Sequence, residues 1–237
     1  MYIKMNFKLV IIVLAVITFA ACNSGVGQSV TLKTQADSAN YAIGVIIGEQ
    51  NKQTLGAFPS GDLLNREIIL KAFNDHFVKG NSKMDIEETQ FIVQNFAQGE
   101  VKRASDKNVA EAEAFLEKNK AKEGIITLPS GLQYEILKEG TGVKPTMEQS
   151  VKCHYHGTLI DGTEFDSSVT RGEPAQFNVG GVIQGWTEAL QLMPVGSKWK
   201  LYIPGELGYG EYGSGPDIGP NQLLIFEVEL LEIVKEN

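Results

Sequence analysis

Asp166 is the side chain in this sequence with the clearest chemical signal. It follows Phe165 directly within Gly162-Thr163-Glu164-Phe165-Asp166-Ser167-Ser168, and Val182-Ile183-Gln184-Gly185-Trp186 comes shortly after. Carboxylates are rarely set among aromatics without a partner or a purpose, because taking a charge out of water is costly. The stretch therefore reads as the wall and floor of an apolar pocket holding one polar group.

Competing chemical signals are weaker. Gly208-Tyr209-Gly210-Glu211-Tyr212-Gly213 fits the spacing of a dinucleotide-binding loop, but Gly215 and Pro216 forbid the helix such a loop must open. His154 and His156 share one face of a strand, yet no third metal ligand accompanies them, so they read as structural. His76 lies beside an apolar helical face with no ligating neighbours and reads the same way. Cys153 alternates with Val151 and Tyr155, as a small buried residue does. Glu227 and Glu229 alternate outward on a late strand and read as a solvated face. No cofactor or metal is expected.

These residues need a scaffold, and the chain supplies two kinds. From Gly124 the apolar period is two, with candidate strands Leu132–Leu137, Ser150–Leu159, Ala175–Val179, Ser197–Ile203 and Leu223–Ile233. One short helix, Trp186 to Met193, is stopped by Pro194. Five or six strands around one helix make an antiparallel β half-barrel.

The half before Gly124 has helical period. A first helix from about Asp37 carries Tyr41, Ile43, Val45, Ile46 and Ile47 and fades near Gly56, with Phe58–Asp62 a loop. Gly44 and Gly48, four apart, fall on one face of it. Each costs about 1 kcal/mol in a helix, which asks for a packing reason: a second subunit, or close packing within the chain. A second helix spans Asn65 to Lys79, capped by Gly80. A third starts at the capping box Asp85-Ile86-Glu87-Glu88 and runs to about Lys122, roughly 50 Å. Its first part, with Ile86, Phe91, Ile92 and Phe96, is apolar enough to pack. Its second part, Lys102 to Glu113, is polar enough to be a strut through solvent. So few helices make a poor core alone, and an intertwined homodimer would supply the missing burial.

At the start, Lys4 and Lys8 precede the apolar run Leu9–Phe19, and Ala20-Ala21 stand before Cys22. This resembles a bacterial lipoprotein signal, in which Cys22 is lipidated; Phe19 departs from the usual Leu. The Ser-, Gly- and Thr-rich stretch after it reads as a tether. The net charge of −8 becomes −10 without the two lysines, which argues against nucleic acid as a partner.

Several motifs in the second half resemble the FKBP-type peptidyl-prolyl isomerases. They are Ser130-Gly131-Leu132-Gln133-Tyr134, His154-Tyr155-x-Gly157, Gly162-x-x-Phe165-Asp166-Ser167-Ser168, Val182-Ile183-x-Gly185-Trp186, Tyr209-Gly210 and the tail Asn221–Leu231. The helical half is similar to the dimerisation domain of the Mip-like (macrophage infectivity potentiator) subgroup. That likeness rests on Asp37-Ser38-x-x-Tyr41-x-x-Gly44-x-x-x-Gly48 and on the Phe115-Leu116-x-x-Asn119 to Ser130-Gly131-Leu132 connection.

The resemblance implies an α+β chain. Residues 1–22 are a signal segment, 23–35 a tether, 36–123 an all-α dimerisation domain with a long connecting helix, and 124–237 the isomerase. It implies a pocket of Tyr155, Phe165, Asp166, Phe177, Val182, Ile183, Trp186, Tyr209 and Phe226, with Trp186 as floor. The Ile183 N–H and the Tyr209 hydroxyl would hold substrate carbonyls. Catalytic roles fall to Asp166, Tyr209 and Tyr155, with Asp166 either orienting Tyr155 or acting on the rotating amide. Ala175 stands where many members carry Phe, which shortens one wall and tells against tight macrolide binding. In the loop Gly213–Pro220, Ile218 is a candidate contributor.

The expected partners are proline-containing unfolded polypeptides, a second copy through the N-terminal helices, and an envelope membrane, the outer membrane facing the periplasm, through Cys22. Two functions fit: an isomerase that helps cell-envelope proteins fold, or a dimeric holdase chaperone with isomerase activity secondary.

Overall fold

A computed structural model describes residues 30–58 and 61–234. The lipoprotein signal, Cys22 and most of the tether lie outside the described residues. The chain divides into two compact units, one ending at Lys52 and the other beginning at Gln53, so the division falls inside the first helix.

Helix α1, Gln35–Gly56, opens on a reciprocal cap. Asp37 accepts from the Thr34 N–H at 2.9 Å, and the Asp37 N–H donates to the Thr34 hydroxyl at 3.0 Å. Tyr41, Ile43, Val45 and Ile46 are each more than half exposed, and a Cβ placed on Gly44 or Gly48 would meet nothing within 4 Å. Of the two packing reasons for the glycines, close packing within the chain is not the one observed among the described residues.

In the second unit, α2 spans Arg66–Phe73, capped by the Asn65 side chain. The single helix expected over Asn65–Lys79 instead widens after Phe73 into a π turn, Asn74–Val78, in which the Lys79 N–H donates to the Asn74 carbonyl at 3.3 Å. Helix α3, Ile86–Asn119, starts at Asp85, whose carboxylate accepts from the Glu88 N–H at 2.8 Å, and passes Gly99 unbroken. Ile86, Phe91 and Ile92 are exposed on it, and Phe96, also partly exposed, stacks on Phe58 with ring centroids 6.1 Å apart.

The strut expected over its later part is overturned, because those turns dock on the β structure. Ala112 and Asn119 are buried, and Asn119 donates to the Gln133 side chain at 3.0 Å. Gln133 in turn donates to the Leu116 carbonyl at 3.0 Å, and Phe115 lies against Tyr202 with ring centroids 5.8 Å apart. Polar side chains share the docking with Ala112 and Phe115, so an apolar-period reading sees only part of it.

The remainder is an antiparallel sheet of seven strands: β1 Ile125–Thr127, β2 Gln133–Lys138, β3 Ser150–Thr158, β4 Glu164–Ser167, β5 Ala175–Asn178, β6 Lys198–Ile203 and β7 Leu224–Val234. The spatial order is β1-β2-β6-β7-β3-β4, with β5 also paired to β3. The three- and four-residue strands β1 and β4 go beyond the five or six expected. Strands β3 and β7 bury alternate residues, as period two demands.

The sheet curls over α5, Gln184–Leu192, whose Trp186, Ala189 and Leu190 enter the same core as Val151, Cys153, Leu201, Ile203 and Val228. Gly185 permits that approach, since a Cβ there would stand 2.6 Å from Ile203. A second helix, the one-turn α4 (Ser168–Arg171), stands where none was expected. Glu227 and Glu229 are half-buried and ion-paired, Glu227 with Lys198 at 2.9 Å and Glu229 with Lys138 at 3.2 Å, so they are not a plain solvated face.

Candidate functional site

The site is a cavity of about 530 Å³, the size of a small-molecule or short-peptide pocket. Tyr155, Phe165, Asp166, Phe177, Val182, Ile183, Trp186, Tyr209 and Phe226 all line it. They come from several parts of the fold. Tyr155 and Phe226 are inward positions of the paired strands β3 and β7. Phe165 and Asp166 belong to β4, Phe177 to β5, and Val182 and Ile183 to the entry of α5.

The apolar part is a nest of rings set edge to face. Trp186 makes near-perpendicular contacts with Tyr155, Phe177 and Phe226 at centroid distances of 5.4, 5.4 and 5.3 Å. Phe165 meets Phe226 at 5.3 Å and 85°. Such geometry puts the positive edge of one ring on the negative face of the next, which holds the rings in fixed places. Gly157 makes the nest possible: a Cβ there would come within 2.7 Å of Phe165 and 2.8 Å of Phe226.

The polar part is one connected group. The Tyr155 hydroxyl donates to Asp166 Oδ2 at 2.5 Å. Arg171, at the end of α4, donates from Nη1 to Asp166 Oδ1 and from Nη2 to the Tyr155 oxygen at 2.7 Å. Its guanidinium also lies over the Tyr155 ring, 5.5 Å from the centroid. Partial burial would raise the Asp166 pKa, but the hydrogen bonds from Tyr155 and Arg171 outweigh it, and the carboxyl sits below its ordinary value. The Tyr155 phenol is pushed up by burial and by its bond to Asp166. Tyr209 is pushed up too, by burial and by the Asp166 charge. All three therefore keep their ordinary ionisation at neutral pH.

Arg171 carries no assignment in the sequence reading. Its signal was available: a cation five residues after the carboxylate, across a turn that Gly172 closes in the left-handed region. Ser214, Gly215, Asp217 and Ile218 also line the cavity, and Ile218 is buried. Ala175 does not line it; it packs on the core opposite Cys153. The Ile183 N–H finds no acceptor among the described residues, so it is open to a ligand carbonyl.

The side groups set aside earlier have local partners. His154 pairs with Ser168 at 3.1 Å and His156 with Glu164 at 3.2 Å. Cys153 is fully buried, and burial pushes its thiol up to about 12. No group of three or more potential metal ligands occurs among the described residues.

Residues 141–231 match the family model of the FKBP-type peptidyl-prolyl cis-trans isomerase, and residues 36–136 match that of the domain amino terminal to it. The outer membrane protein MIP of Legionella longbeachae is 39% identical over 215 residues, spanning 88% of this chain and 90% of that protein. The isomerase FkpA of Aeromonas hydrophila is 46% identical over 211 residues, 86% of this chain and 78% of that one. Among solved structures, FkpA from Escherichia coli superposes with a TM-score of 0.65 at 36% identity, covering 86% of this chain and 98% of its own.

Proposed function

The chain belongs to the FKBP-type peptidyl-prolyl cis-trans isomerases, and we propose that it rotates X–Pro bonds in the cavity floored by Trp186. The observation that carries this is the convergence of an aromatic nest, one satisfied carboxylate and the open Ile183 N–H on one pocket.

The reaction needs no nucleophile. The barrier to rotation is the loss of C–N resonance, about 18–20 kcal/mol. The twisted amide is less polar than the planar one, so a dry aromatic wall favours it over the planar ground state. The Ile183 N–H holds a substrate carbonyl beside the ring and fixes the chain on one side of the rotating bond. Tyr209, on the rim, offers its hydroxyl to a second carbonyl. A gain of about 10⁴–10⁶ in rate asks for only roughly 5.5–8 kcal/mol, within reach of these contacts.

Asp166 is not a proton carrier here. Its two oxygens are occupied by Tyr155 and Arg171, so its role is to orient Tyr155 and to present a fixed negative charge to the amide. The test is turnover of a prolyl peptide by Asp166→Ala and Tyr209→Phe. Each is expected to lose roughly ten-fold or more in kcat/KM, the cost of a misplaced or missing polar contact. Wild-type turnover in both would end the assignment.

The division into a helical part, 36–123, and an isomerase part, 124–237, is proposed on the same footing. The exposed apolar face of α1, with nothing against Gly44 and Gly48, supports a homodimer through these helices. A holdase role would use the same faces, but the glycine strip favours a partner helix over an irregular client. For the cell envelope, the support is the leader before Cys22 and the name of the Legionella relative. No helix among the described residues is long and apolar enough to cross a membrane. Fatty-acid labelling lost in Cys22→Ala tests the anchor.

A further inference from the structure

One wall of the cavity is a loop, and the long helix holds that loop from behind. Ser214, Gly215, Asp217 and Ile218 face the cavity. The loop closes on itself through the Ser214 N–H to the Ile218 carbonyl at 2.8 Å and the reverse bond at 3.2 Å. Its far end, Pro220-Asn221, does not face the substrate. There, Asn108 Nδ2 of α3 donates to the Pro220 carbonyl at 2.8 Å, and Asn221 Nδ2 donates to the Ser105 hydroxyl at 2.8 Å. Ser105 and Asn108 are three apart, so they lie on one face of α3, and both are half-buried.

Asn221 is also the one non-glycine residue with positive φ among those described, at 51°, and its N–H is tied to the Gly210 carbonyl at 2.7 Å. A left-handed residue costs energy unless its surroundings fix it. The bond to Ser105 is part of what fixes it.

We infer that Ser105 and Asn108 are positioning residues for turnover: the helix sets the loop, and the loop sets how tightly the substrate chain is held. Neither residue touches the cavity. The polar composition of these helical turns, which suits a strut, is explained by the clasp. The inference rests on the cavity being the place of turnover.

The test uses the full chain with Ser105→Ala and Asn108→Ala combined. KM for a panel of prolyl peptides is expected to rise about five-fold, the equivalent of one neutral hydrogen bond, with the loss in kcat/KM carried mainly by KM. Exchange at the Ser214 and Ile218 amides should quicken by a similar factor, while amides of β3 and β7 keep their protection. Ser105→Thr, which retains the hydroxyl, should behave as wild type. Asn221→Gly keeps the left-handed backbone and removes only the side-chain bond, so it should show a smaller rise in KM even if the double variant folds poorly. Unchanged KM in the double variant and in Asn221→Gly, with or without faster loop exchange, overturns the inference. Full turnover by both Asp166→Ala and Tyr209→Phe would instead defeat the cavity reading itself, whatever the clasp variants do.

Discussion

Adding one methyl group at Gly157 should spoil the site more than the fold. The new Cβ would stand 2.7 Å from Phe165 and 2.8 Å from Phe226. Carbon atoms rest at about 3.5–4.0 Å, so a ring must move by about 1 Å. Phe226 is held on three sides: by Trp186 and Tyr155, and by strands β6 and β3 on either side of β7. Phe165 sits on β4, a short strand at the sheet edge, and is only half-buried. Phe165 therefore yields, and the wall it forms moves with it. Overpacking of this kind costs about 1–3 kcal/mol of stability. A shift of about 1 Å at a reacting centre costs up to about 10²-fold in rate. Gly157→Ala is thus expected to lose about 10- to 100-fold in kcat/KM on a prolyl peptide, with denaturant unfolding showing the smaller stability loss. Adding Phe165→Leu to Gly157→Ala should recover stability beyond simple additivity, because the two changes share one space. A Gly157→Ala protein with wild-type kcat/KM and wild-type stability would refute the reasoning, since the rings would then not form a close-set wall.

Arg171→Leu removes a partner from both Asp166 and Tyr155. The Asp166 carboxyl, now held below its ordinary value, should titrate at higher pH, observable by NMR. Because its folded value is depressed, the ionised group stabilises the fold above about pH 3.9 and this contribution fades as pH falls through the folded value. In the variant this contribution should be smaller and its loss complete at a higher pH, and kcat/KM at neutral pH should fall roughly three- to ten-fold. Cys153, buried with its thiol near 12, should resist alkylation in the native protein and react only at the rate of global unfolding. Modification of the Cys153-containing peptide at a rate independent of denaturant would contradict this. Tyr41→Glu, exposed on the face of α1 that carries Gly44 and Gly48, should convert a two-copy mass in light scattering to one copy; an unchanged mass would place the subunit contact elsewhere.

Much of the site was legible because its signals are local. The alternation in β3 and β7 fixes which residues face inward, and short motifs carry Phe165-Asp166 and Val182-Ile183 to Trp186. What was not legible depends on contacts between distant polar residues. Arg171 reaches back across a one-turn helix that no propensity announces. Ser105, Asn108 and Asn119 sit in turns whose composition suits solvent as well as a polar interface. Glu227 and Glu229 alternate outward like any solvated pair, and only the sheet order brings lysines of β2 and β6 beside them. Strand β4 is short and polar, and it exists because β3 offers it an edge.

The order of the sheet also governs how this domain comes into being. Strand β7 lies between β6 and β3, so the last strand in the sequence is interior rather than at an edge. Its register pairs Ser150 with Val234 and Thr158 with Ile225, contacts that span much of the domain. Before β7 arrives, β3 can form hairpin-like pairs with β4 and β5, but no ladder joins them to β2 and β6. The loop-closure entropy of long-range pairing must be met in one late step, which makes such topologies slow to fold. A nascent chain therefore exposes two separate half-sheets with unpaired edges until residues 224–234 are available, the state in which strands most readily join the wrong neighbour. Completion of the sheet is thus a late and cooperative step.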